Sequence, residues 1–187
     1  MYILQFDGML RSGNENWPNQ FGLLGFGWLI KRNNVEVAHG FGIFVRNCMA
    51  GSNIAEYLAL IEGLEALVDL RIRNVAVEIQ GDAKCVIDQM IGAAAVSSPL
   101  TLALYRRARK LANHFTSLTW TWVPRRENRQ ADILSRRSFR YLGHSSCLDE
   151  EINQPQLLSL YGGRLTPLVD LRVHNPIMKV NLPGTDP

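Results

Sequence analysis

One long amphipathic stretch divides this chain into two parts with different wiring. From Ser52 to Val68, apolar residues recur at Ile54, Leu58, Ile61, Leu64, Leu67 and Val68. That three-four spacing predicts a helix over Asn53–Asp69 with one face on a core. Ser52 and Asn53 stand where a side chain can cap the first free backbone N–H groups. Glu56 falls in the first turn on this reading, where the helix dipole favours an acid. Ahead of the helix lie three strand-like runs, Tyr2–Phe6, Gly22–Lys31 and Glu36–Arg46, with a loop from Met9 to Asn19 and a turn at Arg32-Asn33-Asn34. Their links leave no room for a helical crossover, so the three form an antiparallel meander.

After the helix the wiring changes. Val75–Gln80 alternates as a strand, Ala83–Ile91 reads as a short helix and Leu100–Phe115 as a longer one. Leu118–Val123 is a fifth strand, with Trp120 and Trp122 on one face, and Gln130–Tyr141 a last helix. A strand that follows a long helix tends to lie parallel to an earlier strand. The expected fold is therefore α/β, a five-stranded mixed sheet flanked by helices, made of a three-strand antiparallel meander plus two parallel strands. From Gly143 onward the periodicity stops, and Pro155, Pro167, Pro176 and Pro183 punctuate the sequence. Residues 1–142 are read as one domain and 143–187 as a partly irregular C-terminal extension, with short elements at Leu157–Tyr161 and Leu168–Val173. The extension is expected to pack on the body, on a protein partner or on a second copy.

Composition fits a globular body, with 47% apolar and 20% charged residues over 187 positions. The net charge of +3 permits a polyanionic partner without requiring one. Cys48, Cys85 and Cys147 lack metal-type spacing, which fits free, mostly buried thiols in a reducing compartment. The N-terminus carries no basic-then-apolar leader pattern, and no apolar run is long enough to cross a membrane. The expected location is the cytoplasm, with no membrane partner.

Four acids carry the chemistry. Asp7 ends the first predicted strand and Asp82 the fourth; Glu56 and Asp132 each sit near a helix start. If the first and fourth strands are parallel neighbours, Asp7 and Asp82 emerge at one edge, where open α/β sheets bind ligands. Converging carboxylates repel one another, and hard divalent cations are the partners that remove the repulsion. Two such ions can serve an in-line displacement at phosphorus. No His-x-x-x-His, Cys-x-x-Cys or Gly-x-x-x-x-Gly-Lys pattern competes, and Gly25-x-Gly27 lacks the third glycine of a dinucleotide site.

Five stretches then appear in a telling order: Phe6-Asp7-Gly8, Gly25-Phe26-Gly27-Trp28-Leu29-Ile30, Ser52-Asn53-Ile54-Ala55-Glu56-Tyr57, Gly81-Asp82, and Val123-Pro124-Arg125-x-x-Asn128-x-x-Ala131-Asp132-x-Leu134. Together they resemble type 1 ribonuclease H, in its short bacterial, archaeal and plant-like branch, over residues 1 to about 142. The resemblance implies a nuclease that cuts the RNA strand of an RNA–DNA hybrid with two Mg2+ ions, Mn2+ being a substitute, to leave 5′-phosphate and 3′-hydroxyl ends. It implies Asp7, Glu56, Asp82 and Asp132 as catalytic metal ligands. Asn53, with Ser52 beside it, matches the position that touches the RNA sugar edge, the contact that distinguishes RNA from DNA. Asn128 matches a loop residue that supports the site, or else caps the last helix. The loop histidine of many members is absent; Arg125 or Arg126 is the expected electrostatic helper, and Lys84 is placed to touch a phosphate.

The basic helical handle of some members is missing, since Ile91–Leu100 holds no lysine or arginine. The Arg106–Lys110 cluster is then either a solvated helix face or a substrate contact. Glu62, Glu65, Asp69, Asp88 and Glu127 are assigned to solvent, and His39, His114, His144 and His174 to surface or core. The alternative to a hybrid nuclease is a non-catalytic nucleic-acid-binding or complex-forming module of the same fold. A nuclease acting on double-stranded RNA or DNA would use the same acids.

Overall fold

The computed structural model describes residues 1–12, 22–46, 51–142, 171–172 and 177–180. In chain order these form β1 (Tyr2–Ser12), β2 (Gly22–Arg32), β3 (Val35–Arg46), α1 (Ser52–Asp69), β4 (Val77–Gly81), α2 (Lys84–Ile91), α3 (Pro99–Ala112), β5 (Leu118–Trp122), α4 (Arg129–Leu142), β6 (Leu171–Arg172) and β7 (Ile177–Val180). Strand order is β5-β4-β1-β2-β3-β6, with β7 also on β3. The pairs β1·β2 and β2·β3 are antiparallel, and β1·β4 and β4·β5 are parallel. This is the expected five-stranded mixed sheet. The two short strands from the extension lengthen it along the outer edge of β3.

The β2–β3 turn is set by Asn33 and Asn34, whose φ angles of 53° and 64° are left-handed. Two such residues make the hairpin turn whose twist matches its strands, and asparagine tolerates that conformation. β1 runs further than expected: residues Met9 to Ser12 continue the strand, and Ser12 pairs with Gly22. The long β2 supplies a cross-strand partner to every residue of β1, and Leu10 packs against the core. β4 begins at Val77 rather than Val75 because its partner β1 begins at Tyr2, opposite Val77.

The main core lies between one face of the sheet and α1. Leu4, Phe6, Leu24, Phe26, Trp28, Ile30 and Ile79 meet Ile54, Leu58, Ile61, Leu64 and Leu67. Each fully buried side chain of this size contributes about 1.5–3 kcal/mol. α1 is buried on more than the expected face, because α3 covers the side turned away from the sheet. Glu62, assigned to solvent from sequence, is consequently only 8% exposed. α1 also starts one residue earlier than expected. Gly51 occupies the cap position and no side chain caps the helix, so Ser52 and Asn53 lie inside the first turn. Glu56, the fifth helical residue, belongs to the second turn and not the first.

On the opposite face, α4 packs against β2, β1 and β3, with Ala131 and Leu134 against Leu29 and Phe41. Gly27 makes this approach close enough to matter. A Cβ at Gly27 would stand 2.4 Å from the backbone nitrogen of Ser135 and 2.6 Å from Leu134 Cβ. A bare strand at that point is what lets α4 bring its acidic first turn to the sheet edge.

Two further differences concern single residues. Cys85 is an exposed free thiol rather than a buried one. Trp120 packs on the core, but Trp122, on the same side of β5, is 47% exposed because the strand ends there. Cys48, Cys147, His144, His174, the segment Leu157–Tyr161 and most of the predicted loop before Asn19 lie outside the described residues. Among the described residues no helix is long and apolar enough to cross a membrane.

Candidate active site

β4 accompanies β1 only as far as the pair Phe6–Gly81. Asp7, although within β1, is therefore the first residue beyond the parallel pair, and Asp82 is the first residue after β4. Both carboxylates emerge at the carboxyl edge of the two central parallel strands. α1 crosses this edge at Gly8, whose N–H donates to Glu56 Oε2 at 3.0 Å. A Cβ on Gly8 would lie 2.1 Å from the carbonyl carbon of Ala55 and 2.2 Å from the nitrogen of Glu56. Only a glycine lets the helix come near enough for Glu56 to join the two aspartates. One carboxylate oxygen from each of Asp7, Glu56 and Asp82 lies within 4.8 Å of the others.

Each acid is held from behind. The Asn128 amide donates to Asp82 Oδ1 at 2.6 Å and to the carbonyl of Phe6 at 2.8 Å. The indole N–H of Trp122 and the backbone N–H of Lys84 both donate to the Asp82 carbonyl, at 3.1 and 3.0 Å. The Ser135 hydroxyl donates to Asp7 and lies 3.0 Å from the carbonyl oxygen of Asp132.

Asp132 stands beside this group without entering it. It lies in the first turn of α4, as expected, with Arg125 on Oδ1 and Arg136 Nε on Oδ2 at 2.9 Å. Of the four predicted metal-ligating acids, the structure gathers three and leaves the fourth between two arginines.

The electrostatics match that division. Burial, with the Asp82 and Asp132 charges adding to it, pushes Asp7 up to about 6 against the lowering effect of Ser135. Burial and the charges of Asp7 and Asp82 hold Glu56 well above the usual carboxylate range, opposed by the Gly8 N–H and by Arg125. For Asp132, burial also acts upward, but the bonds from Arg136 and Arg125 together outweigh it and hold the carboxyl low. Two raised carboxyls converging with a third acid form a site for a hard cation. The donor set consists of oxygen alone, which fits Mg2+ or Mn2+ and disfavours soft metals.

The other predicted residues take varied places. Ser52 is exposed, and Asn53 is half-buried with its amide 3.6 Å from Cys85 Sγ. Asn53 lies three residues before Glu56 and so on the same side of α1. Lys84 is exposed and paired with Asp88 at 2.6 Å. Arg125 and Arg126 are exposed in the turn before α4. Asn128 has no exposed surface, so it supports Asp82 and neither caps α4 with its side chain nor reaches a substrate.

In the α3 cluster, Arg107 is tied to Glu65 at 2.5 Å and Arg109 to the Met90 carbonyl at 2.9 Å. Those two bonds are structural. His39 pairs with Glu36 at 2.7 Å, away from the acids on β3.

Sequence reasoning missed three contributors. Ser135 lies three residues after Asp132, a helical spacing that shares a face and could have flagged it. Gln5 lies two residues before Asp7, on the same side of β1. It is nearly buried, donates to Gln80 and to the Glu127 carbonyl, and accepts from Lys31, tying the Arg125–Asn128 turn to the sheet. Trp122 carried no local signal, since its contact depends on where β5 ends beside Asp82.

The reverse transcriptase-like family model matches residues 16–138. Among curated proteins, a bifunctional protein of Mycobacterium tuberculosis is 37% identical over 102 residues, which cover 54% of this chain and 28% of that protein. Ribonuclease HI of Halobacterium salinarum is 36% identical over 131 residues, 70% of this chain and 60% of that protein. The chain thus spans less than two thirds of the length of either relative.

Among solved structures, RNase H1 from Halobacterium salinarum superposes with a TM-score of 0.65 at 31% identity, over 74% of this chain and 97% of that one. The N-terminal RNase H domain of a Mycobacterium tuberculosis protein, solved as a fusion with maltose-binding protein, gives 0.66 at 29% identity, over 78% and 97%. By family match, by identity and by the sheet that carries its acids, this chain belongs to the type 1 ribonuclease H family.

Proposed function

We propose that this chain hydrolyses the RNA strand of RNA–DNA hybrids, using divalent cations held by Asp7, Glu56 and Asp82. One observation carries the reading: three carboxylates from three separate elements converge to within 4.8 Å at the sheet edge. A protein that only bound nucleic acid would gain nothing by facing a phosphate backbone with three acids, two of them raised by burial and by neighbouring carboxylates. When bound, divalent ions, two in this proposal, activate the attacking water and stabilise the leaving oxygen.

The protein groups supply positioning. Asn128 and Trp122 fix Asp82, the Gly8 N–H fixes Glu56, and Ser135 fixes Asp7. Arg125, anchored by Asp132, is the cation available to the phosphate where many family members carry a histidine. Asp132 is the proposed fourth ligand, and that role requires Arg125 to turn away from it. Asn53 and Ser52 lie on the accessible side of α1, where a ribose 2′-hydroxyl can be read. Lys84 can contact a phosphate once it leaves Asp88. Attack of water on phosphorus with loss of the 3′-oxygen leaves 5′-phosphate and 3′-hydroxyl ends. The nuclease domain in this proposal is 1–142, with 143–187 as an appended segment.

The deciding experiment compares cleavage of labelled RNA–DNA hybrid, RNA duplex, DNA duplex and single strands in Mg2+ and in Mn2+, with Asp82→Asn as control. Hybrid-selective cutting of RNA that the substitution abolishes is expected. Folded protein that binds hybrid yet cuts nothing in either metal would sink the proposal in favour of a binding module.

A further inference from the structure

The net charge of the whole chain is +3. The segment 124–137 alone carries five arginines against Glu127 and Asp132, which is the same +3. All other charges in the chain cancel. The excess is therefore concentrated in one turn and the helix that leaves it, beside the carboxylates, and not spread as general surface charge.

Four of those arginines have a common setting. Arg125 reaches Asp132 from the turn, and Arg136 reaches it from one helical turn further on. Arg129, Asp132 and Arg136 fall at i, i+3 and i+7, a single face of α4. Arg126 is 84% exposed, and its sole acid among the described residues is the adjoining Glu127 at 3.5 Å. Arg129 is exposed and has no ion pair or hydrogen bond among the described residues. Arg137 differs, since it lies 5.1 Å over the Phe41 ring and serves the packing of α4 on the sheet. By contrast, α3 spends Arg107 and Arg109 on its neighbours, and residues 91–100 hold no cation at all.

We propose that Arg125, Arg126, Arg129 and Arg136 form a backbone-tracking surface along the turn and the first eight residues of α4. It holds phosphates of the substrate strand that continue past the cleaved bond. This deepens the nuclease reading and rests on it for the identity of the strand. The occupant is chosen by charge: four exposed guanidinium groups share only Asp132 and Glu127, and the two positive charges left over suit a phosphodiester chain, whose contacts are independent of base sequence. The surface takes the place of a basic helical handle, and α3 does not.

The test measures equilibrium binding of a labelled RNA–DNA hybrid in EDTA from 50 to 200 mM KCl. It compares the unaltered protein with Arg126→Ala/Arg129→Ala and with Arg106→Ala/Lys110→Ala, which removes the same charge from α3. Each lost phosphate contact lowers the slope of log affinity against log salt by about 0.9. The α4 variant is expected to bind more weakly, with a slope shallower by about 2, so that its deficit shrinks roughly tenfold across this salt range. The α3 variant keeps the original slope. An unchanged slope in the α4 variant, an equal loss in the α3 variant, or no salt-dependent binding by the unaltered protein overturns the proposal. Cleavage in Mg2+ is scored separately. A protein that binds with these slopes but never cuts keeps its arginine surface and loses the nuclease assignment.

Discussion

The Asn128 amide donates to Asp82 Oδ1 at 2.6 Å while also satisfying the Phe6 carbonyl at 2.8 Å. One buried side chain thus joins the α4 turn, β1 and the end of β4 at the carboxylate that closes the site. Partners behind metal-ligating groups typically affect affinity or activity about 10–100-fold when removed. Asn128→Ala is expected to lower kcat/KM for hybrid cleavage within that range and to raise the Mg2+ concentration giving half-maximal rate. It also leaves the buried Phe6 carbonyl unpaired, at a cost of about 1–3 kcal/mol in denaturant unfolding. A variant with normal metal dependence would show that the bond to Asp82 is not a positioning contact.

Gly8 controls the reach of Glu56. A methyl group there meets the backbone of Ala55 and Glu56 at 2.1–2.2 Å, and neither backbone atom can rotate out of the way. Gly8→Ala must therefore push α1 off β1. The expected result is a stability loss of about 1–3 kcal/mol or more, together with loss of hybrid cleavage even at temperatures where the variant is folded. Cleavage at the original rate by folded Gly8→Ala would mean that Glu56 has no part in the chemistry.

Much of this arrangement was legible in the sequence because strand and helix periodicity mark the elements, and short links fix the meander. Asp7 and Asp82 were placed at one edge by a topological argument that the structure bears out, even though β1 continues to Ser12. The cap of α1 was misread because Ser52, Asn53 and Gly51 all suit a helix start, and which one takes the cap depends on how far the helix extends. Asn128 as a partner of Asp82, and Asp132 as the anchor of two arginines, depend on three-dimensional packing across 46 residues in one case and on the geometry of a turn in the other. Periodicity carries no information about either.

The raised carboxyls give the metal-free protein a pH dependence of defined sign. Burial lifts the Asp7 carboxyl from its ordinary value of 3.8 to about 6 in the folded chain. The folded state therefore holds more protons than the unfolded state between these values, and stability falls as pH rises through that window. The loss from Asp7 amounts to about 3 kcal/mol once both states are ionised, and Glu56 acts in the same direction. Asp132 works oppositely but only at lower pH, where its bonds to Arg136 and Arg125 are lost on protonation. In EDTA, Tm at pH 5 should exceed Tm at pH 7.5, and millimolar Mn2+ should raise Tm mainly at the higher pH. A metal-free Tm that rises from pH 5 to 7.5 would contradict the assignment of strained carboxyls to this site.

Ser135 sets how readily Asp7 gives up its proton. Its hydroxyl donates to the carboxylate and so favours the charged form, partly offsetting burial. Ser135→Ala removes that donor and adds no atoms near Gly27, so α4 keeps its seat on the sheet. The Asp7 carboxyl then holds its proton to a higher pH, and a cation must displace that proton to bind. The acid limb of Mn2+ binding, followed by calorimetry between pH 5.5 and 8, should move upward while affinity at pH 8 changes much less. Ser135→Thr, which restores a hydroxyl, should return the limb toward its original position. An Ala variant whose binding weakens equally at every pH would show that Ser135 only packs, and that Asp7 is charged by other means.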